Sequence, residues 1–147
     1  MPISMISAAK TIKPVELLIG GKPLVTMGAV ITVAASGANA AANYKKGTII
    51  YSTTTIGPFE VLAAASLPLT VGGIAYVLAE DFVESNATAP AAGSYKVSAY
   101  AEGEFNKQTV INANPILDAN QVTALVDSLE IRGIHLVAVA GQTVRTL

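Results

Sequence analysis

Two glutamates in the second half of the chain have the spacing of a catalytic carboxylate pair. Glu102 and Glu104 lie in the alternating segment YKVSAYAEGEFN, which begins at Tyr95. In a strand, residues two apart share a face and lie roughly 6–7 Å from each other. That separation is within the range of the paired carboxylates of glycoside hydrolases. A small glycan-acting enzyme is therefore one hypothesis for this chain.

Aromatic side chains, which usually grip the sugar rings in such enzymes, are scarce in this sequence. Tryptophan is absent and aromatic residues make up 5% of the chain. The alternation around the glutamates instead predicts a half-buried strand, with Ala99, Ala101 and Phe105 facing inward and Tyr100 facing outward with the two glutamates. We interpret the pair as the solvated face of that strand.

The other titratable residues match no catalytic or metal-binding motif. Glu80, Asp81 and Glu84 do not have the spacing of an EF-hand loop, and we expect Glu80 and Asp81 to accept backbone hydrogen bonds or to pair with a lysine at a strand end. His135 is the only histidine, so it cannot form a His-based metal cluster, and no nucleophile elbow accompanies it. We expect it at the sheet surface. The sequence thus predicts no catalytic residue, metal or cofactor.

The amino-acid composition limits the classes of partner that this chain is expected to bind. The chain has 147 residues, no cysteine, a net charge of −1, 13% charged residues and 52% apolar residues. Its length fits one domain, and the balanced charge offers neither a nucleic-acid footprint nor a polybasic membrane patch. The absence of cysteine gives no reason to expect an oxidising compartment. A surface so poor in charge favours coverage by other protein subunits.

Residues 23–44 carry no charge, which raises the question of a transmembrane helix. Pro23, Gly28, Gly37 and the β-branched run VITV argue against a helix and favour a strand. The N-terminus, MPISMISAAK, lacks the charged start and apolar run of a secretory signal. We therefore expect synthesis in a cytoplasm and no membrane partner.

Short apolar segments separated by Gly and Pro turns predict a mostly-β domain. Gly20-Gly21-Lys22-Pro23 is a turn by residue type, since it lacks Walker spacing and no strong helix follows it. Residues 74–81 and 95–106 should form a hairpin-like pair of strands around the small-residue loop 86–93. The other predicted strands or short apolar segments are 15–19, 24–33, 48–54, 59–65, 67–71 and 134–140.

One amphipathic helix is predicted near the C-terminus, at residues 118–132. Asp118 and Gln121 have the spacing of a capping box, and Gly133 has the position of a C′ glycine. Val122, Leu125, Val126 and Leu129 recur at helical spacing and should face the sheet. With the strands, this pattern indicates a small barrel or sandwich.

The chain divides into three regions. Residues 1–14 contain scattered apolar side chains without helical or strand periodicity, so we expect an extended N-terminal arm that is mobile until a partner orders it. Residues 15–140 should form the single folded domain. Residues 141–147 form a short C-terminal tail.

Five pieces of sequence, in order, resemble the lambda-type head decoration proteins of tailed bacteriophages. Each piece is short, but the series occurs with compatible gaps and covers roughly residues 15–137. The pieces are Leu18-Ile19-Gly20-Gly21 with Pro23 and Val25-Thr26; Tyr44-Lys45-Lys46-Gly47-Thr48; Val77-Leu78-Ala79-Glu80-Asp81; Gly103-Glu104-Phe105-Asn106; and Leu129 with Arg132-Gly133-Ile134-His135-Leu136.

The resemblance implies a structural virion protein without enzymatic activity. It implies a small single-domain β-barrel or β-tulip-like fold that binds as a homotrimer at three-fold positions of the expanded phage head and holds major capsid protein subunits together. It also implies that the N-terminal arm lies on the capsid protein, and Ile3, Ile6, Ile12 and Val15 are the residues expected to contact it. Another virion β-module, such as a tail or fibre component, is the alternative.

Overall fold

The computed structural model describes residues 17–33, 45–54, 59–81, 93–114 and 117–139. These ranges all fall within the predicted 15–140 domain. The predicted arm, with Ile3, Ile6, Ile12 and Val15, lies outside the described residues, as does the 141–147 tail.

The described ranges form six strands and two α-helices, which confirms a mostly-β chain with antiparallel pairing. The elements are β1 (Leu18–Val33), β2 (Ile49–Ser52), β3 (Glu60–Val61), β4 (Ile74–Leu78), β5 (Gly93–Asn106), α1 (Lys107–Ala113), α2 (Ala119–Glu130) and β6 (Ile134–Val137), with a short 3-10 turn at Ala64–Ser66. No helix within these ranges is long and apolar enough to cross a membrane.

Strand β5 is the centre of a single sheet with the order β1-β5-β4-β2-β3. β1 runs antiparallel along one edge of β5, from Leu18 opposite Phe105 to Val33 opposite Gly93. The other edge is shared, because β4 pairs antiparallel near Tyr100 and β6 pairs parallel from Gly103 onward. The predicted pairing of the segments 74–81 and 95–106 is thereby confirmed, although residues 82–92 lie outside the described ranges.

The predicted turn at Gly20-Gly21-Lys22-Pro23 is wrong, because β1 continues through it. Gly20 lies opposite Glu104 and Leu24 lies opposite Glu102, so four steps along β1 match two steps along β5. The extra residues are absorbed as an irregularity in the ladder, as in a β-bulge. β1 is an edge strand among the described elements, where a proline costs no ladder hydrogen bond if its nitrogen faces outward.

The two faces of the sheet carry separate apolar clusters. Ile49 and Tyr51 on β2 belong to the larger cluster, whereas Ile50 between them belongs to the smaller one, as the alternation of a strand requires. The helices cover the larger cluster with Val110, Ile111, Val122, Leu125 and Leu129. The smaller cluster contains Ile50, Phe59, Leu78, Val97 and Ala99. The helices therefore lie on one face of the sheet.

The amphipathic helix predicted at 118–132 is confirmed as α2. Asp118 caps it by accepting from Gln121 N at 2.9 Å, and the Gln121 side chain accepts from Asp118 N at 2.8 Å. Gly133 has a φ of 79°, which suits the left-handed residue that follows a helix. The chain then enters β6.

Helix α1 was not predicted. Its N-cap is Asn106, whose Oδ1 accepts hydrogen bonds from Gln108 N at 3.0 Å and Thr109 N at 3.4 Å. Five of its seven residues are buried, so tertiary packing compensates for the modest helix propensity of KQTVINA. Asn114 ends α1 and ties it to β2 by accepting a hydrogen bond from Ile49 N.

Candidate interaction surfaces

Glu102 and Glu104 are both exposed on β5, but their neighbours differ. Glu102 lies opposite Leu24, and its side chain packs on Gly133, where an added Cβ would lie 3.2 Å from Cγ. Glu104 lies opposite Gly20 on one side and His135 on the other. The predicted orientation of the side chains along β5 is therefore partly wrong.

Ala99 and Phe105 are buried as predicted, but they belong to different clusters on opposite faces of the sheet. Tyr100, which was expected to face solvent with the glutamates, packs against the larger cluster, and its ring centroid lies 5.5 Å from that of Phe105. Gly103, with a φ of 146°, lies between these aromatic residues. Together with the irregular pairing to β1, it interrupts the alternation that the sequence suggested.

We predict that replacing both Glu102 and Glu104 by glutamine leaves glycan hydrolysis at background and changes the free energy of unfolding by less than about 1 kcal/mol, since both side chains are exposed. Reducing-sugar release from a panel of oligosaccharides and urea unfolding would measure the two quantities. A wild-type hydrolysis rate that falls in the double variant would restore the enzyme hypothesis.

Of the two acids that follow β4, Asp81 accepts a backbone hydrogen bond as predicted. Asp81 Oδ1 accepts a hydrogen bond from Lys46 N at 2.9 Å. Glu84, the third acid of that group, lies outside the described residues. Within the described ranges, no group of three or more His, Asp or Glu side chains could hold a metal ion.

His135 lies at the sheet surface, as predicted. Its side chain is 49% exposed, and its Nδ1 lies 4.0 Å from Glu130 Oε1. On β5 its register partner is Glu104. Among the described residues, His135 belongs to no group of side chains that could hold a metal ion.

A shallow cleft of about 290 Å³ lies where β2 and β3 end. It is lined by Tyr51, Ser52, Thr53, Thr54, Glu60, Val61, Ala63 and Ser66. Hydroxyl groups and one carboxylate surround it, and no basic or imidazole group is among these residues.

An exposed apolar corner forms where α2 meets the turn before β4. Arg132 joins the two by donating from Nε to Gly73 O at 3.0 Å and from Nη2 to Thr70 O at 2.8 Å. Val71 in the turn is 91% exposed and Ile131 at the end of α2 is 76% exposed. We call Val71, Ile131 and Arg132 the Arg132 corner. The sequence did not single out Val71 or Ile131; the only signal was that Arg132 belongs to the decoration-protein series.

The five pieces of that series meet in two places in the fold. The piece around Gly47 bonds to the end of β4, where Gly47 N donates to Leu78 O and Leu78 N donates to Thr48 O, both at 2.9 Å. The 103–106 piece lies between the pieces on β1 and β6, because Phe105 pairs with Leu18 on β1 and with Leu136 on β6. Pieces far apart in sequence are therefore neighbours in the sheet.

No family model, curated protein or solved structure matches the chain. What the chain does is therefore inferred from its own residues.

Proposed function

We propose that this chain is a structural virion protein, a capsid decoration protein that binds as a trimer at three-fold positions of an expanded phage head and stabilises it. In this proposal the protein is made in the cytoplasm of the bacterial host and resides on the outer surface of the capsid. Its partners are two further copies of itself and the major capsid protein, and it catalyses no reaction.

The observation that carries the proposal is the meeting of the five motif pieces. Each of the five pieces has described residues that lie in a strand of the one sheet or bond to such a strand. Here the 45–48 segment bonds to the 77–81 segment, and the 103–106 segment pairs with both β1 and β6. Residues that determine one fold are expected to contact one another in this way. The contacts support treating the series as one unit.

A curled sheet supports the finer part of the fold proposal, a small barrel or β-tulip-like domain. Cα atoms of the two end strands, β1 and β3, approach within 8 Å of each other, although no ladder joins them in the described residues. Curling of this kind brings a sheet toward closure.

The surface also supports an assembly role. The chain has 13% charged residues, and four large aliphatic side chains are exposed within the described ranges. Such side chains are stabilised when a partner covers them.

In this proposal the protein acts mechanically, because its binding is coupled to the expansion of the shell. A protein that binds the expanded shell and not its precursor stabilises the expanded state by its binding free energy. Three linked copies multiply weak individual contacts by avidity, so each contact with the shell can be modest. The shell would then resist the pressure of packaged DNA.

The test is to add the purified full chain to expanded phage shells that lack a decoration protein. We expect saturable binding with density at three-fold positions in a reconstruction of the particles. Unexpanded precursor shells are the matched control and should bind much less. Binding to tails or fibres alone would support the other virion module, and binding to no particle would reject the proposal.

Deleting residues 1–14 is expected to weaken binding to expanded shells by about tenfold or more while leaving the domain folded, because the sequence of residues 1–14 lacks the apolar periodicity of a helix or strand. Co-sedimentation with shells would measure binding, and far-UV circular dichroism would check the fold. Replacing Ile3, Ile6 and Ile12 by serine in the full-length chain is the matched variant. Unchanged binding of both would show that the arm makes no contact.

A further inference from the structure

Residues 62–73 form a loop that leaves β2 and returns to it. At the start of the loop, Leu62 N donates to Ile49 O on β2 at 2.9 Å. Directly after the loop, Ile74 pairs with Ser52 on the same strand. The two ends of the loop are therefore anchored on one strand, as in the compact surface loops whose ends lie close together. We call residues 62–73 the strap.

The interior of the strap, residues 63–72, forms no backbone hydrogen bond to the rest of the described chain. Its backbone bonds close turns within the strap, such as the bond from Gly73 N to Thr70 O at 2.9 Å. The sheet ladders do not include it, since β3 ends at Val61 and β4 begins at Ile74. Side chains must therefore attach the strap to the domain.

Three side chains of the domain bind the strap by hydrogen bonds. On β2, Tyr51 Oη accepts from Thr70 N at 3.1 Å. On α2, Ser128 Oγ accepts from Leu69 N at 3.1 Å. Directly after α2, Arg132 Nη2 donates to Thr70 O at 2.8 Å. Side chains from two different elements thus bind both backbone groups of Thr70.

Arg132 joins the strap to the helix. Its Nε donates to Gly73 O at 3.0 Å, and its Nη1 donates to Ser128 O at 2.5 Å. A planar guanidinium can direct several N–H groups at fixed angles, which the single ammonium of a lysine cannot do. Because Arg132 is partly exposed, water can solvate it when these bonds break. Separation of the strap from α2 therefore leaves no buried charge.

Few residues of the strap are buried. Burial is confined to Leu62 at its start, Leu69 and Gly73, while Leu67 is partly buried and Val71 is 91% exposed. A segment with few buried side chains opens at a lower free energy than the core of a sheet. Since the ladder between β2 and β4 does not pass through the strap, the sheet can stay paired when the strap opens.

We propose that the strap opens and closes as one unit while the sheet stays folded, and that Arg132 is the latch that holds it closed. The closed strap seats Leu69 in the larger cluster and places Val71 at the Arg132 corner. Opening withdraws Leu69 and uncovers the side of α2 next to Ser128. The proposal rests on contacts within one chain and does not depend on the proposed function.

Amide hydrogen exchange in the full-length chain, followed by NMR at increasing urea, tests for separate opening. Leu69 N and Thr70 N report on the strap, and Leu78 N, which donates to Thr48 O, reports on the sheet. After correction for intrinsic rates, we expect the strap amides to exchange at least about tenfold faster than Leu78 N, with a weaker dependence on urea. Exchange of all three amides by one equally urea-dependent opening would overturn the proposal.

Val97→Ala separates the opening of the strap from unfolding of the sheet. Val97 is buried in the smaller cluster, whereas Leu69 belongs to the larger cluster on the other face, so alanine destabilises the sheet and leaves the contacts of the strap intact. Leu78 N should exchange about tenfold faster, and the strap amides Leu69 N and Thr70 N should stay within about twofold of the wild type. Equal acceleration of all three amides would show that the strap opens only when the domain unfolds.

Substitutions of Arg132 test the latch. Arg132→Gln should accelerate exchange at Leu69 N and Thr70 N by about tenfold or more, because the charged hydrogen bonds are lost. Arg132→Lys keeps the charge without the planar fork and should still accelerate it by more than about threefold. Lys96→Gln removes an exposed cation from β5 and is the matched control, with strap exchange within about twofold of the wild type. Circular dichroism checks the fold of each variant. Unchanged strap exchange in both Arg132 variants would show that Arg132 is not the latch.

Discussion

Replacement of Asn114 by alanine is expected to lower the free energy of unfolding by about 3–5 kcal/mol. The side chain is 2% exposed and makes three hydrogen bonds. Its Oδ1 accepts from Ile49 N at 3.2 Å, and its Nδ2 donates to Gly47 O at 3.1 Å and to Val110 O at 2.7 Å. One side chain thus joins the end of α1 to the start of β2.

The cost arises from the backbone groups that alanine would leave without their partner. Val110 O also accepts from Asn114 N at 3.1 Å and keeps that bond. Ile49 N and Gly47 O lose the amide in a buried region, and a buried polar group left unsatisfied costs about 1–3 kcal/mol. The small cavity adds to this loss.

Asn112→Ala is the matched control, since Asn112 lies on the same helix and is exposed. It would lose only the bond that Asn112 Oδ1 accepts from Gln108 Nε2 at 2.8 Å, so we expect a change below about 1 kcal/mol. Urea unfolding followed by circular dichroism, at one protein concentration for all variants, gives both values. Similar losses in the two variants would mean that the Asn114 network does not hold α1 to the sheet.

Local sequence signals were sufficient for α2, because every determinant of that helix lies within it. The capping box of Asp118 and Gln121, the apolar stripe and Gly133 all act over a few residues. The same holds for β2, β4 and β6, where short apolar runs between turns became strands close to the predicted bounds. Such elements can be predicted from a window of sequence.

Elements that depend on distant partners could not be predicted in this way. Gly20-Gly21-Lys22-Pro23 has the composition of a turn, yet pairing with β5 keeps the backbone extended and absorbs the extra residues as an irregularity. Helix α1 contains Thr109, Val110 and Ile111 in succession, which favours a strand locally. Burial against the sheet and the Asn106 cap outweigh that preference.

The sequence predicted the kind of surface but not the residues that form it. Low charge indicated that part of the surface is covered by protein, but it did not identify which residues are exposed. Val71 is one residue among many valines, and its 91% exposure depends on the turn that Arg132 holds against α2. The sequence shows Glu104 only by its spacing to Glu102, whereas its position between Gly20 and His135 depends on the register of three strands. Register is a property of the assembled sheet.

Phe105→Ala is expected to destabilise the domain by about 3–5 kcal/mol, because the ring is fully buried at the point where three strands meet. Phe105 pairs with Leu18 and with Leu136, and its ring packs against Tyr100 at a centroid distance of 5.5 Å. Removing it leaves a cavity that these neighbours can fill only by moving. Urea unfolding at fixed protein concentration measures the change.

Two further substitutions distinguish loss of the ring from a general effect of mutation. Phe105→Leu keeps most of the apolar volume and should cost about 1.5 kcal/mol or less. Val71→Ala removes an exposed aliphatic group and should change the unfolding free energy by no more than about 0.5 kcal/mol. A Phe105→Ala variant as stable as Val71→Ala would show that the larger cluster does not extend to the end of β5.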